Sequence, residues 1–217
     1  MTAAPKFSLH CVNIVILAEF HNPSILNPDF LKGNKIVPQD WEAVEVLTTP
    51  AFASVKYSNN VVFFVDRERF EVRRECGGEF LKNYDIHDMA ATYVNVLPHV
   101  RYTTMGLNWQ ISIENAEPEK FVTERFLKAE AWKDSGLALL NSSVNLNFEI
   151  DSVVCKLNFM AGRAKVADQE HPAVIISINF HHKGPFTIEE LTNILKLWKI
   201  REDYTKELLP KLLGESS

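Results

Sequence analysis

The residues of this sequence whose types could carry chemistry are three cysteines, seven histidines, a run of arginines and one glycine pair. Cys11, Cys76 and Cys155 are odd in number and none lies in a CxxC pair, so they read as reduced thiols of a cytoplasmic protein. Cys11 and Cys155 fall in apolar, strand-like runs, where a thiol packs as a small inert hydrophobe. Cys76 follows Arg73 and Arg74, whose charges would lower a thiol pKa, but Glu75 and Glu79 oppose them, and the structural reading is the stronger. Gly77-Gly78 stands between the same two acids. A phosphate cradle needs converging N–H groups and few negative charges, so the pair reads as a turn.

Metal ligation finds little support. There is no HExxH and no Cys/His ladder at zinc spacing. Asp85-Ile86-His87-Asp88 offers three donor side chains at a spacing that suits helix capping better. His181 and His182 end a strand, so their rings point to opposite faces. No GxxxxGK[ST], GxGxxG or GxSxG occurs, and Glu19 and Glu149 have no second carboxylate placed beside them by spacing. Arg67, Arg69 and Arg73 make a basic stripe, with Arg74 and Lys82 nearby. Glu71 shares that stripe, Asp66, Glu68 and Glu75 flank it, and the net charge is −5. Cross-strand ion pairing on a wet sheet face explains this without a phosphate ligand. No residue is therefore assigned a catalytic, cofactor-binding or metal-binding role, and no cofactor is expected.

The elements that would have to position any site are clear. The 217 residues are 46% hydrophobic and 24% charged, ordinary values for one globular domain spanning 1–217. Val12–Ala18 is too short and too β-branched for a signal sequence or a membrane span, and reads as part of a strand running to Phe20. Met105, Leu107, Trp109 and Ile111 alternate with Gly106, Asn108 and Gln110, which predicts a strand with one buried and one wet face. The same period of two runs through 144–150, 153–159 and 173–180, with a tight hairpin at Asp151-Ser152. In the first half it predicts strands over 51–57, 61–65 and 70–74. The stretches 33–40 and 162–172 read as mobile loops.

Two long helices are predicted. One starts near Asp85, with Asp85 and Asp88 as a capping pair and a stripe of Ile86, Met89, Ala90, Tyr93, Val94 and Leu97. The other starts at the capping box Thr187–Glu190, carries Ile188, Leu191, Ile194, Leu195 and Trp198, and bends or breaks at Pro210. Asn27-Pro28-Asp29 and Glu117-Pro118-Glu119 start two shorter helices, with proline at the first helical position.

The order is strand, short helix, three strands, long helix, then the same again. It predicts an α+β fold, an antiparallel sheet covered by two long helices, with halves 1–99 and 100–217 as a possible duplication. That order resembles the TATA-binding-protein-like and helix-grip architectures. The segments Leu107-Asn108-Trp109 and Val15–Phe20 resemble a group of sporadically distributed bacterial proteins without assigned function. Neither resemblance transfers a functional residue.

With every catalytic signature missing, the sequence points to a non-enzymatic protein-interaction or self-associating module. The alternative is a small-molecule binder or enzyme using an apolar cavity between sheet and helix. No nucleic acid and no membrane are expected as partners.

Overall fold

Alternating β-branched and polar residues build nine strands, and the intervening 3.6-period stripes build the helices that cover them. The computed structural model describes residues 7–78, 85–127, 140–166 and 169–213. Its first strand, β1 (Phe7–Ala18), leads through a short helix α1 (Pro28–Gly33) to β2 (Ala43–Thr48), β3 (Phe52–Tyr57), β4 (Val61–Asp66) and β5 (Arg69–Gly78). Helix α2 (Ile86–Val96) follows. Then come β6 (Tyr102–Glu114), α3 (Pro118–Phe126), β7 (Ser143–Ile150), β8 (Val153–Val166) and β9 (Gln169–Lys183). The helices α4 (Ile188–Lys196) and α5 (Trp198–Leu213) close the described chain.

All nine strands join one antiparallel sheet in the order β2-β3-β4-β5-β1-β6-β9-β8-β7. The period-two pattern decides which face is dry. Val12, Ile14 and Ile16 of β1, Leu107, Trp109 and Ile111 of β6, and Ile176, Ile178 and Phe180 of β9 are all buried on the helix side. Helix α2 packs on β1 and β5 and against α4, and α3 packs on β7, β8 and β9. Aromatic contacts fix these helices: Tyr93 of α2 stacks on Phe70 with centroids 3.7 Å apart, Phe126 of α3 lies 4.6 Å from Phe159, and Trp198 of α5 stacks on Trp109 at 4.5 Å. Each such ring removes roughly 150–250 Å² from water, the largest contributions in the core.

Local chemistry explains the element ends. Asn27 caps α1 by accepting from the Phe30 N–H at 2.8 Å, with Pro28 next. Thr187 and Glu190 form the expected capping box. Asp151 and Ser152 take φ of 51° and 63°, the two positive values a two-residue hairpin turn requires.

Several expectations need correction. The strand β2 was not expected; most of its side chains are exposed, so it lacks the buried alternation that marks its neighbours, and backbone pairing with β3 holds it. Asp85 makes no side-chain cap bond. The stretch 162–172 belongs to the β8–β9 hairpin on both sides of positions 167 and 168, which lie outside the described residues. The stretch 33–40 is anchored by Ile36 and Val37, both buried. The C-terminal helix divides at Leu197, whose N–H bonds back to the Ile194 carbonyl in a tightened last turn and starts α5 at Trp198, against the sheet. Pro210 does not break α5, which continues to Leu213.

A candidate binding trough on the open sheet face

Because successive strand residues alternate sides, the residues between the core positions gather on the face away from the helices. Register brings them into rows. One row crosses six adjacent strands: Arg73, Asn13, Asn108, Asn179, Lys156 and Asn147. The next carries Cys11, Gln110, Ser177, Asn158 and Asn145. Apart from Arg73 at its edge, these rows line a trough of about 490 Å³ in which six asparagines converge.

Its floor is held by amide chemistry. Asn179 donates from Nδ2 to Asn108 Oδ1 at 2.7 Å, and Asn108 donates to the Gly106 carbonyl at 3.2 Å. Asn13 donates to Glu71 Oε1 at 2.9 Å, and Asn158 donates to Asn145 Oδ1 and Ser143 Oγ, each at 2.8 Å. Gly106 lies under this chain. A Cβ there would stand 2.7 Å from Asn179 Nδ2, too close for both to keep their places.

The two sides of the trough differ in charge bookkeeping. On the β5 side each cation has an acid. Arg69 lies 3.5 Å from Asp66 and 3.6 Å from Glu71, Arg73 lies 3.6 Å from Glu75, and Lys56 reaches Glu75 at 3.5 Å. Arg69 also covers the Phe64 ring at 4.5 Å. On the β8 side, Lys156 and Lys183 make no ion pair with a described residue, and Gln110, Ser177 and Asn147 make no side-chain hydrogen bond with one. His181 feels this: burial first, then the charges of Lys156 and Lys183, lower its pKa.

No group in the trough is poised as a nucleophile. Cys11 opens onto this face instead of the core, a correction to its sequence reading, and burial pushes its thiol up to about 12 against the pull of Arg73. Cys155 is buried on the helix side, its thiol pushed up by burial to about 11. Cys76 donates to the Arg74 carbonyl at 3.6 Å.

No family model, curated protein or solved structure matches this chain.

Other sequence-selected residues are scattered. Arg67 leaves the stripe and sits 5.5 Å over the Phe20 ring in a turn. Lys82 and Glu79 lie outside the described residues. His87 pairs with Asp88 at 3.6 Å, and among the described residues no three His, Cys, Asp or Glu side chains come together as a metal site. His181 faces the trough side while His182 is buried on the helix side, as alternation requires. There Arg201 spans to Asp151 at 2.9 Å, and burial, then Arg201 and His181, hold the His182 imidazole down at about 4. Two further cavities, of about 400 and 220 Å³, lie at the Glu19–Arg101 end of the sheet and over Phe64.

The asparagine rows escaped the sequence reading. Asn145, Asn147, Asn158, Asn108 and Asn179 each sit in the polar phase of a strand. Their convergence depends on β6 lying between β1 and β9, which no local pattern announces.

Proposed function

We propose that this chain is a non-enzymatic binding module whose open sheet face receives an extended segment of another protein, or of a second copy. The carrying observation is the trough: six asparagines with Gln110 and Ser177, several of their polar groups unused, on a sheet whose other face is closed by helices. Asparagine and glutamine offer both donors and acceptors, matching the N–H and C=O groups of an extended backbone. The raised thiols and the paired acids of the β5 side supply no base or nucleophile for that ligand.

The strand order supports the idea of two duplicated halves, 1–99 and 100–217. Outward from the centre the sheet reads β1-β5-β4-β3 on one side and β6-β9-β8-β7 on the other, and Asn13 faces Asn108 where they meet. In this reading α2 and the α4–α5 pair are corresponding covers, β2 is an addition to the first half, and the order keeps its resemblance to TATA-binding-protein-like folds. Nucleic acid is not the partner we propose, since the arginines are matched by acids. Nor is a membrane: no helix among the described residues is long and apolar enough to cross one. A small ligand is the second reading, because about 490 Å³ falls within the range of such sites.

The test is to fill the trough. Ser177 is exposed on this face, so Ser177→Trp should leave the thermal midpoint unchanged while abolishing binding to peptides selected from a displayed ten-residue library. Undiminished binding by Ser177→Trp would place the partner elsewhere, and a concentration-dependent mass that Ser177→Trp removes would identify the partner as a second copy.

A further inference from the structure

We propose that the β6-β9-β8-β7 side of the trough anchors a carboxylate, so that the segment it takes is acidic. The proposal rests on the reading of the open face as a polypeptide site, and adds the chemistry of its ligand. Lys156 is its centre. On the flanking strands its direct neighbours are Asn147 and Asn179, and Asn158 lies two residues along its own strand. It has no acid partner among the described residues, whereas Lys56, Arg69 and Arg73 across the trough all do. Lys183 adds a second cation on this side with no ion pair to a described residue, and the charges of both lysines, after burial, disfavour protonation of His181. The acid on this part of the face is Glu149, which lies opposite Val154, one step diagonal to Lys156.

A cation flanked by neutral amides, with Glu149 only diagonal to it and no ion pair to any described residue, is arranged for an external anion. The amide N–H groups of Asn147, which make no hydrogen bond with another described residue, add hydrogen bonds to the same oxygens, the kind of charge-assisted contact that outweighs a neutral one. Carboxylate fits better than phosphate. Among the described residues lining the trough, this side holds Lys156 and amides, with no guanidinium group or helix N-terminus of the kind that favours phosphate, and no Phe, Tyr or Trp ring on the open face for a base to stack on. Gln110 and Ser177, one row away, then bond the backbone groups that flank the acidic residue.

The experiment uses the whole chain and three end-blocked ten-residue peptides of one Ser/Thr/Asn background, carrying Asp, Asn or Lys at the two central positions. Fluorescence anisotropy at low salt should rank them Asp, Asn, Lys, with Asp about tenfold tighter than Asn. The gap should shrink at high salt. Lys156→Glu should erase or invert the ranking, and Lys56→Glu, on the paired side, should leave it unchanged. Equal affinity for the Asp and Asn peptides, or an Asp preference that survives Lys156→Glu, overturns the carboxylate site. If none of the three peptides binds, sodium acetate followed by ¹⁵N NMR separates the two claims. Shifts of the Asn147 side-chain amide keep the anion site and sink the polypeptide reading, and their absence sinks the anion site.

Discussion

The open face has two wings of similar build and opposite state. In the β5-β1 wing, Arg69, Arg73 and Lys56 each pair with Glu71, Glu75 or Asp66, and Asn13 donates to Glu71, while Arg69 Nε and Arg73 Nε make no hydrogen bond with a described residue. In the β6-β9-β8-β7 wing, Lys156, Gln110, Ser177 and Asn147 spend their donors on nothing within the described protein. The first wing is the one a sequence scan notices, because its charges are conspicuous. The second is the one with capacity left for a ligand. Charge density is therefore a poor guide to a binding face; what counts is whether each polar group is already satisfied.

The comparison rests on both wings standing on equally firm cores, and removing the aromatic pin of either half tests that. Tyr93→Ala unstacks Phe70 and Trp198→Ala unstacks Trp109, each expected to cost about 3–5 kcal/mol by urea unfolding. A negligible loss in one alone would mean that half is not held by its helix. Next in size is the pH response of the second half. The folded-state pKa of His182 is about 4, below the ordinary 6.5, so the folded protein resists taking this proton. The stability is fully present above pH 6.5 and lost as the pH falls toward 4, by up to about 3 kcal/mol. Thermal midpoints across that window should fall in the wild type and flatten in His182→Gln; parallel curves would remove His182 as the cause.

Smaller changes separate the wings themselves. Gly106→Ala must displace the Asn179 amide and break its bond to Asn108, for about 1–2 kcal/mol. A stability equal to wild type would show that the amide chain is dispensable. In the paired wing, Glu71→Ala leaves Arg69 and Asn13 short of an acceptor and should cost about 1 kcal/mol. In the unpaired wing, Asn147→Ala should change stability by less than about 0.5 kcal/mol. Equal costs for these two would erase the distinction between the wings.

Much of the fold was legible because burial writes a period into sequence. Met105, Leu107, Trp109 and Ile111 declare one face of β6, and all four are buried. Thr187 and Glu190 declare a helix start. The strand β2 did not declare itself, since Val44, Val46 and Leu47 are exposed and their order answers to no core. Nor did the break at Leu197, where the stripe of α4 continues unbroken into Trp198 although the chain makes a tightened turn between the two helices. The trough was the least legible feature. Its residues come from six strands, and their meeting follows from strand order and register.

The most direct test of the central claim places a small aliphatic diazirine residue, too slight to fill the trough as tryptophan would, at Ser177 in the unpaired wing or at Ser54 in the paired one. Each variant is irradiated with the Asp-containing ten-residue peptide. The account predicts adducts at position 177 and essentially none at 54. Equal yields at both positions, or adducts at 54 alone, would contradict it.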